Sequence, residues 1–228
     1  MRYFGGLDLS FSGTGLVILG EDGKIALRMT IHTGTKMPHR QRLVLIGDTI
    51  VSFLKGYASD GNSLVLAKES PAHGARFGVH LAGEVHGAVE YAMEKAGLMV
   101  PYEMAPASLK KFATGRGIGE KGDVKMWILA KWGEKFADNN QADAYTLARV
   151  AGSIAGVFLM TSKHEAECIK TILAGAGMKA EAKAIKMPKK DARSCACGKR
   201  MKTGIEFESG RCAECIRAVP PTEGGTPQ

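Results

Sequence analysis

The sequence contains no uninterrupted apolar run of the ~18 residues that a membrane-spanning helix requires. Its first residues also lack the apolar stretch and small-residue cleavage site of a secretory signal peptide. We therefore expect no membrane anchor and a location in the cytoplasm. Hydrophobic residues make up 45% and charged residues 24% of the 228 positions, which is typical of a folded globular protein and excludes wholesale disorder.

Acidic residues are the minority among the charged side chains. Lysine and arginine number 31 against 23 aspartate and glutamate, so the formal net charge is +8 at pH 7. This balance favours an anionic partner, nucleic acid first. The alternative is a basic surface that is simply solvated.

Cysteine is scarce except near the C-terminus, where four residues form two close pairs. Cys195 and Cys197 are separated by one residue, and Cys212 and Cys215 are separated by two. Disulfides are uncommon in chains without a secretory signal, whereas closely spaced pairs of cysteines are typical of tetrahedral zinc sites. We predict a structural Zn²⁺ bound by all four thiolates in a ribbon-like module. The first pair has one intervening residue instead of two, and free thiols are the alternative.

Strand and helix patterns alternate through the first two thirds of the chain. The predicted strands are residues 3–9, 15–19, 24–31, 63–67 and 98–101. The first three follow one another through a short turn, which predicts antiparallel pairing, and the fourth is a continuous apolar run typical of a buried strand. The predicted helices are residues 42–57, 79–96, 106–112, 124–136 and 141–159. The pattern predicts an α/β fold with a mixed sheet flanked by helices.

The composition changes after about residue 160. We predict an α/β domain over residues 1–160 and a basic, partly helical linker over 161–193. The zinc module then spans 194–218, and a Pro-, Gly- and Thr-rich tail over 219–228 is expected to be disordered.

Three acidic residues stand in otherwise apolar surroundings. Asp8 and Glu69 follow buried strands, and Asp143 lies in a helix start of small and apolar residues. Burying such charges is costly unless they are paired or bind a cation. If the strands are neighbours and the helix packs across them, the carboxylates converge on a site for Mg²⁺ or Mn²⁺. Two such ions activate water for phosphodiester cleavage.

Each acid also has a purely structural interpretation. Asp8 could cap the turn that follows it. Glu69 could pair with Lys68 or Arg76, and Asp143 could be a first-turn acid favoured by the helix dipole. Because all three occur together in this order, we favour the metal site.

Several short stretches carry a family resemblance, in this order along the chain: GLD at 6–8, TG at 14–15, the strand ending in Glu69 with the long helix after it, ASLKKFATG at 107–115, GDVK at 122–125 and QADA at 141–144. Together they resemble the RuvC-type Holliday-junction resolvases, and the phage-encoded branch most. The resemblance runs from about residue 3 to 155. It implies an RNase H-like fold with a five-stranded mixed sheet, which makes residues 1–160 a nuclease domain.

The resemblance further implies a homodimer that binds four-way DNA junctions and makes paired nicks with Mg²⁺ or Mn²⁺. It would act in DNA recombination and repair, near the nucleoid or in the host cytoplasm if phage-encoded. By analogy, Asp8, Glu69 and Asp143 are catalytic metal ligands. Lys110 and Lys125 match family lysines near the scissile phosphates, although exposed helical lysines are often only solvated.

Two positions depart from the family pattern. The family usually has a fourth metal ligand three residues before the last aspartate, and here that residue is Asn140, with Asp138 as the alternative ligand. Some members place an aromatic wedge three residues after the glutamate, and here that residue is Ala72. Phe77 or His73 could replace the wedge. The strictness for four-way junctions therefore stays open.

Two other functions remain open at this stage. Residues 8–15 also resemble the first phosphate loop of actin-like and sugar-kinase-type phosphotransferases, which share this sheet topology. Alternatively, the loss of an acid at Asn140 leaves a junction-binding protein without catalysis.

The cysteine pattern yields a stoichiometric prediction. About one zinc ion per chain should copurify with the protein, and the double variant Cys212→Ser, Cys215→Ser should contain none, because structural zinc sites need all their thiolates. Cys168→Ser is the matched control and should retain the metal. Elemental analysis of protein purified under reducing conditions measures both, and a parent protein without zinc would contradict the prediction.

Overall fold

The computed structural model describes residues 1–59, 61–71, 79–117 and 123–186. The zinc module with its four cysteines, the C-terminal tail and the segment containing Ala72, His73, Arg76 and Phe77 lie outside the described residues. None of the described helices is long and apolar enough to cross a bilayer.

Within the described residues, five strands form one mixed sheet, as predicted. They are β1 (Arg2–Asp8), β2 (Gly13–Gly20), β3 (Ile25–His32), β4 (Ser63–Glu69) and β5 (Tyr102–Met104). The order across the sheet is β3-β2-β1-β4-β5. The first three strands pair antiparallel, and β4 joins β1 and β5 in parallel. The parallel pairing of β1 with β4 places the C-terminal ends of two central strands side by side.

Helices cover both faces of this sheet. The helices are α1 (His39–Tyr57), α2 (Val79–Lys95), α3 (Pro106–Thr114), α4 (Asp123–Trp132), α5 (Asn139–Ile154), α6 (Lys163–Gly175) and α7 (Lys179–Ala184). The core under α1 and α2 contains Leu16 and Ile18 of β2, and the core under α3–α7 contains Val17 and Leu19. This alternation follows the two-residue period of a strand, and apolar side chains on both faces are typical of a sheet between helical layers.

The fifth strand begins later than predicted. Residues 98–101 form no strand, and β5 instead pairs Tyr102 with Ala67 and Met104 with Glu69. Met99 and Val100 are mostly exposed, at 61% and 65%. The chain leaves α2 through Gly97 and uses these residues to reach the sheet edge, so their apolar character does not reflect burial in a strand.

Two helices end earlier than predicted. Helix α4 ends at Trp132, where Gly133 follows with φ 77°, and α5 ends at Ile154, shortly before Gly156 with φ 72°. Glycine adopts this left-handed conformation readily and so ends helices. Phe158 beyond α5 prolongs the apolar pattern because it returns to the core, where its ring lies 5.0 Å from that of Phe4.

The packed core continues beyond residue 160. Helix α6 buries Ile169 and Leu173 in the same core as α5. It is also attached to α4 by a buried ion pair, in which Lys131 Nζ lies 2.6 Å from Glu165 Oε1. The first part of the expected linker is therefore packed structure, while the functional domain boundaries stay predictions.

Helix α5 lies unusually close to β1 and β2. A Cβ atom at Gly6 would lie 1.9 Å from the carbonyl oxygen of Ala144, and one at Gly15 would lie 2.2 Å from that of Asn140. Because neither strand position has room for a side chain, the helix backbone rests directly on the sheet. This approach sets where the side chains at the start of α5 are placed.

The close approach can be tested with one methyl group. Gly6→Ala should destabilise the protein by at least about 2 kcal/mol or prevent folding, because the added carbon overlaps helix backbone. Gly56→Ala is the control, since Gly56 is exposed in α1 with open space around it, and it should be neutral or slightly stabilising. Urea unfolding compares the two, and equal stabilities would contradict the packing argument.

Candidate active site

Two carboxylates meet at the shared end of β1 and β4. Leu7 pairs with Lys68 in the parallel register, so Asp8 and Glu69 are the next residues on neighbouring strands. Asp8 follows the alternation of Phe4 and Gly6, and Glu69 follows that of Val65 and Ala67, which place both acids toward the α5 side. Each of these carboxyl groups affects the pKa of the other.

Helix α5 adds the remaining predicted ligands. Asp143 and Asn140 lie one turn apart near its start and line the same cleft as Asp8 and Glu69. The cleft has a volume of about 470 Å³. The close approach of α5 to the glycines of β1 and β2 brings these side chains to the strand ends. The structure thus assembles the predicted set from three separate elements.

The structure gives other partners or positions for three of the purely structural interpretations, while the pairing of Glu69 with Arg76 lies outside the described residues. The turn after β1 is closed by Ser10 and Thr14, since Thr14 Oγ1 donates to the Ser10 carbonyl at 2.7 Å. Lys68 forms its ion pairs with other glutamates, not with Glu69. Asp143 is the fifth residue of α5 and so lies beyond the first turn.

The cleft holds more negative charge than it can stabilise alone. Burial, followed by the charges of Asp143 and Glu69, raises the pKa of Asp8 to about 8. Burial and then Asp143 raise the pKa of Glu69 to about 7. Burial also raises the pKa of Asp143 to about 6, although Lys110 opposes this shift. A bound cation would relieve the repulsion and favour the ionised carboxylates.

The donor set fits a hard divalent cation by its chemistry. Carboxylate and amide oxygens are what Mg²⁺ and Mn²⁺ prefer, and Asp8, Glu69, Asp143 and Asn140 supply only oxygen in that role. Among the described residues, no group of three or more His, Cys, Asp or Glu side chains is arranged as a ready metal cage. The charge of Asp143 raises the pKa of both Asp8 and Glu69.

Asp138 is the N-cap of α5. Its carboxylate accepts the backbone N–H of Asn140 at 2.9 Å and a hydrogen bond from the Thr30 hydroxyl. It does not line the cleft, although its charge adds to the raised pKa of Asp8 and Asp143. Of the two candidates for the fourth ligand, Asn140 lines the cleft and Asp138 does not, while the ligand role itself stays a prediction.

The two predicted lysines are placed differently. Lys110 of α3 lines the cleft, where its charge opposes the rise in pKa of Glu69 and Asp143. Lys125 of α4 is not among the lining residues and donates from Nζ to the carbonyl of Ala137 at 3.1 Å. Lys110 is thus positioned to meet an anion in the cleft, while the role of Lys125 stays a prediction.

His86 is a residue of the cleft wall that the sequence did not single out. His86 of α2 lines the cleft and contacts Lys68, which is fully buried in β4. The sequence does contain one indication of such a contact: Lys68 lies inside a buried strand, and a buried lysine needs polar partners. Nothing in the sequence distinguished His86 from His80 on the same helix.

No family model and no curated protein matches the chain. Among solved structures, the Thermus thermophilus RuvC structure is similar over 68% of this chain and 97% of that chain, with 20% identity and a TM-score of 0.56. The structure of T. thermophilus RuvC in complex with Holliday junction substrate is similar over 69% of this chain and 98% of that chain, with 19% identity and a TM-score of 0.56. The chain has the RuvC-type fold. The predicted resemblance and fold class are thereby confirmed for the α/β body, while the phage branch and the zinc module stay predictions.

The raised pKa of Asp8 predicts how the RuvC-type body responds to pH without metal. A carboxyl whose pKa is higher in the folded state contributes stability at low pH, and this is lost as pH rises from about 4 through about 8. In EDTA, the free energy of unfolding of Asp8→Asn relative to that of the parent protein should therefore rise by at least about 1 kcal/mol between pH 5 and pH 8.

Urea unfolding at both pH values measures this difference. Asp48→Asn, at an exposed position of α1, is the control and should show no such gain. A pH-independent difference between Asp8→Asn and the parent would show that Asp8 is not in a crowded acidic site.

Proposed function

We propose that the protein is a metal-dependent, structure-selective DNA endonuclease that resolves Holliday junctions or related branched DNA by paired nicks. The observation that carries this proposal is the convergence of Asp8, Glu69 and Asp143 in one cleft of a RuvC-type fold. These carboxyl groups are buried and have raised pKa values, as is typical of a site that binds a cation. The resolution of Holliday junctions is consistent with a role for this protein in DNA recombination and repair in the cytoplasm.

In this proposal, Asp8, Glu69, Asp143 and Asn140 hold Mg²⁺ or Mn²⁺ through their side-chain oxygens. Such ions, when bound, would supply a water of lowered pKa as the nucleophile and positive charge for the leaving oxygen. Lys110 meets a phosphate oxygen at the cleft wall, where an ammonium acts as a point charge. Lys125 is proposed to contact phosphate nearby, after leaving the Ala137 carbonyl.

The proposed DNA substrate is supported by charge and by one structural neighbour. The net charge of +8 favours binding to phosphates, and the RuvC of T. thermophilus has been solved with a Holliday junction substrate. The zinc module is proposed to add further phosphate contacts through its basic residues.

Paired nicks require two active sites, and we propose a homodimer through α2. Gly83, Gly87 and Tyr91 are exposed and lie four residues apart on one face of this helix. A methyl group at either glycine would meet nothing within 4 Å, so a partner helix has room to approach. Tyr91 is 69% exposed and offers an apolar contact to such a partner.

The proposal is tested by cutting a synthetic four-way junction with and without Mg²⁺. The parent protein should make paired nicks only with the metal. Asp8→Asn should reduce cleavage at least about 100-fold, since a strong ligand is lost, while salt-sensitive junction binding should persist. Asp48→Asn is the control on exposed surface and should cut at the parent's rate.

The other outcomes separate the alternatives. Cleavage by Asp8→Asn at the parent's rate would overturn the mechanism. Junction binding by the parent without cleavage would identify a non-catalytic junction-binding protein. Nucleotide hydrolysis without junction cleavage would identify a phosphotransferase of the actin-like type.

A further inference from the structure

A buried lysine lies next to the candidate active site without taking part in it. Lys68 directly precedes Glu69 on β4 but points to the opposite face of the sheet, toward α2. Its side chain is 1% exposed, and its Nζ lies 2.7 Å from Glu90 Oε1 and 2.6 Å from Glu103 Oε1. The third contact is to His86 Nδ1, at 3.2 Å. The three donors of the ammonium thus face three acceptors.

The contact with His86 decides which ring nitrogen carries the proton. An ammonium donates and cannot accept, so Nδ1 of His86 must accept the hydrogen bond and carries no proton. A neutral imidazole with a bare Nδ1 has its proton on Nε2. Burial, followed by the charge of Lys68, also lowers the pKa of His86 to about 4, although Glu90 and Glu103 oppose this shift.

The second ring nitrogen is available to a ligand. Within the described residues, no hydrogen bond is formed by Nε2 of His86, and the residue as a whole is 5% exposed. His86 lines the cleft together with Asp8, Glu69 and Lys110. A metal ligand would need a free electron pair at Nε2, which this tautomer lacks. An N–H beside a cationic lysine instead suits an anionic oxygen.

We propose that His86 is a neutral hydrogen-bond donor to a phosphate oxygen bound in the cleft, and that Lys68 is the positioning residue that holds it in the Nε2–H tautomer. This inference rests on the proposed function for the identity of the phosphate, which belongs to the DNA backbone.

A purely structural role explains less of the arrangement. Glu90 and Glu103 already offset the charge of Lys68 and tie α2 and β5 to β4. His86 carries no negative charge and so does not help Glu90 and Glu103 to offset the charge of Lys68. Its presence is explained by the donor that it presents on the other side of the ring.

The tautomer is tested directly on the full chain by ¹⁵N NMR of its histidine side chains, with His86 assigned by the spectrum of His86→Gln. At about pH 7 the parent should show His86 neutral with the proton on Nε2. Inorganic phosphate should shift its Nε2 resonance. In Lys68→Met the single tautomer should be lost, and the fold should survive because Glu90 and Glu103 are 42% and 55% exposed and stay hydrated.

The donor is tested by cleavage of a four-way junction. His86→Leu should lose about 10- to 100-fold in kcat/KM, which is typical of a lost hydrogen bond to a charged group. His86→Gln can place an N–H near the same point, so its loss in kcat/KM should be about one tenth of the loss in His86→Leu. His32→Leu, at an exposed position of β3 that neither lines the cleft nor lies on α2, is the control and should cleave at the parent's rate.

Each result has a defined consequence. An Nδ1–H or charged His86, or equal losses in the Leu and Gln variants, would overturn the inference. So would parent-like cleavage by His86→Leu. If the parent cuts no junction, the proposed function fails by itself, and the phosphate-induced shift of the Nε2 resonance decides the inference alone: a shift supports it and its absence overturns it.

Discussion

The contact of helix α5 with the bare backbone of β1 and β2 is the constraint on which the rest of the site depends. Gly6 and Gly15 leave no room for a side chain between sheet and helix, and Ala144 meets them from the helix side. Because the helix rests directly on the strands, Asp143 and Asn140 reach the end of β1, where Asp8 lies. A larger residue at either glycine would lift the helix and move Asp143 away from Asp8 and Glu69, which the pairing of β1 with β4 keeps together.

The strand alternation then separates two charged groups that are adjacent in sequence. Glu69 joins the acids on the α5 side, where burial and like charges raise its pKa, while Lys68 enters the opposite core and finds Glu90 and Glu103. The sheet therefore prevents the simplest neutralisation, a Lys68–Glu69 pair. The negative charge of the cleft remains available for a cation, and His86 connects the two groups because it contacts Lys68 and lines the cleft.

The folded body of the protein extends beyond the elements that carry the candidate site residues. Helices α6 and α7 follow the last predicted ligand, yet Ile169 and Leu173 belong to the same core as α5. The buried Lys131–Glu165 pair joins α6 to α4, and α4 carries Lys125. Removing one partner of such a pair leaves a buried charge and is costly, so α6 supports the elements that frame the cleft.

The sequence by itself determined the sheet, its helical layers and the identity of the acidic residues, because period-two and helical patterns record burial and because isolated acids in apolar runs are costly. It misplaced β5 and two helix ends, since apolar residues such as Val100 and Phe158 occur there for reasons other than regular structure. Only the tertiary structure decided that Asn140 lines the cleft while Asp138 caps the helix, and that His86 contacts Lys68. These relations depend on helix–sheet distance and on which face a side chain takes, and neither quantity is local in the chain.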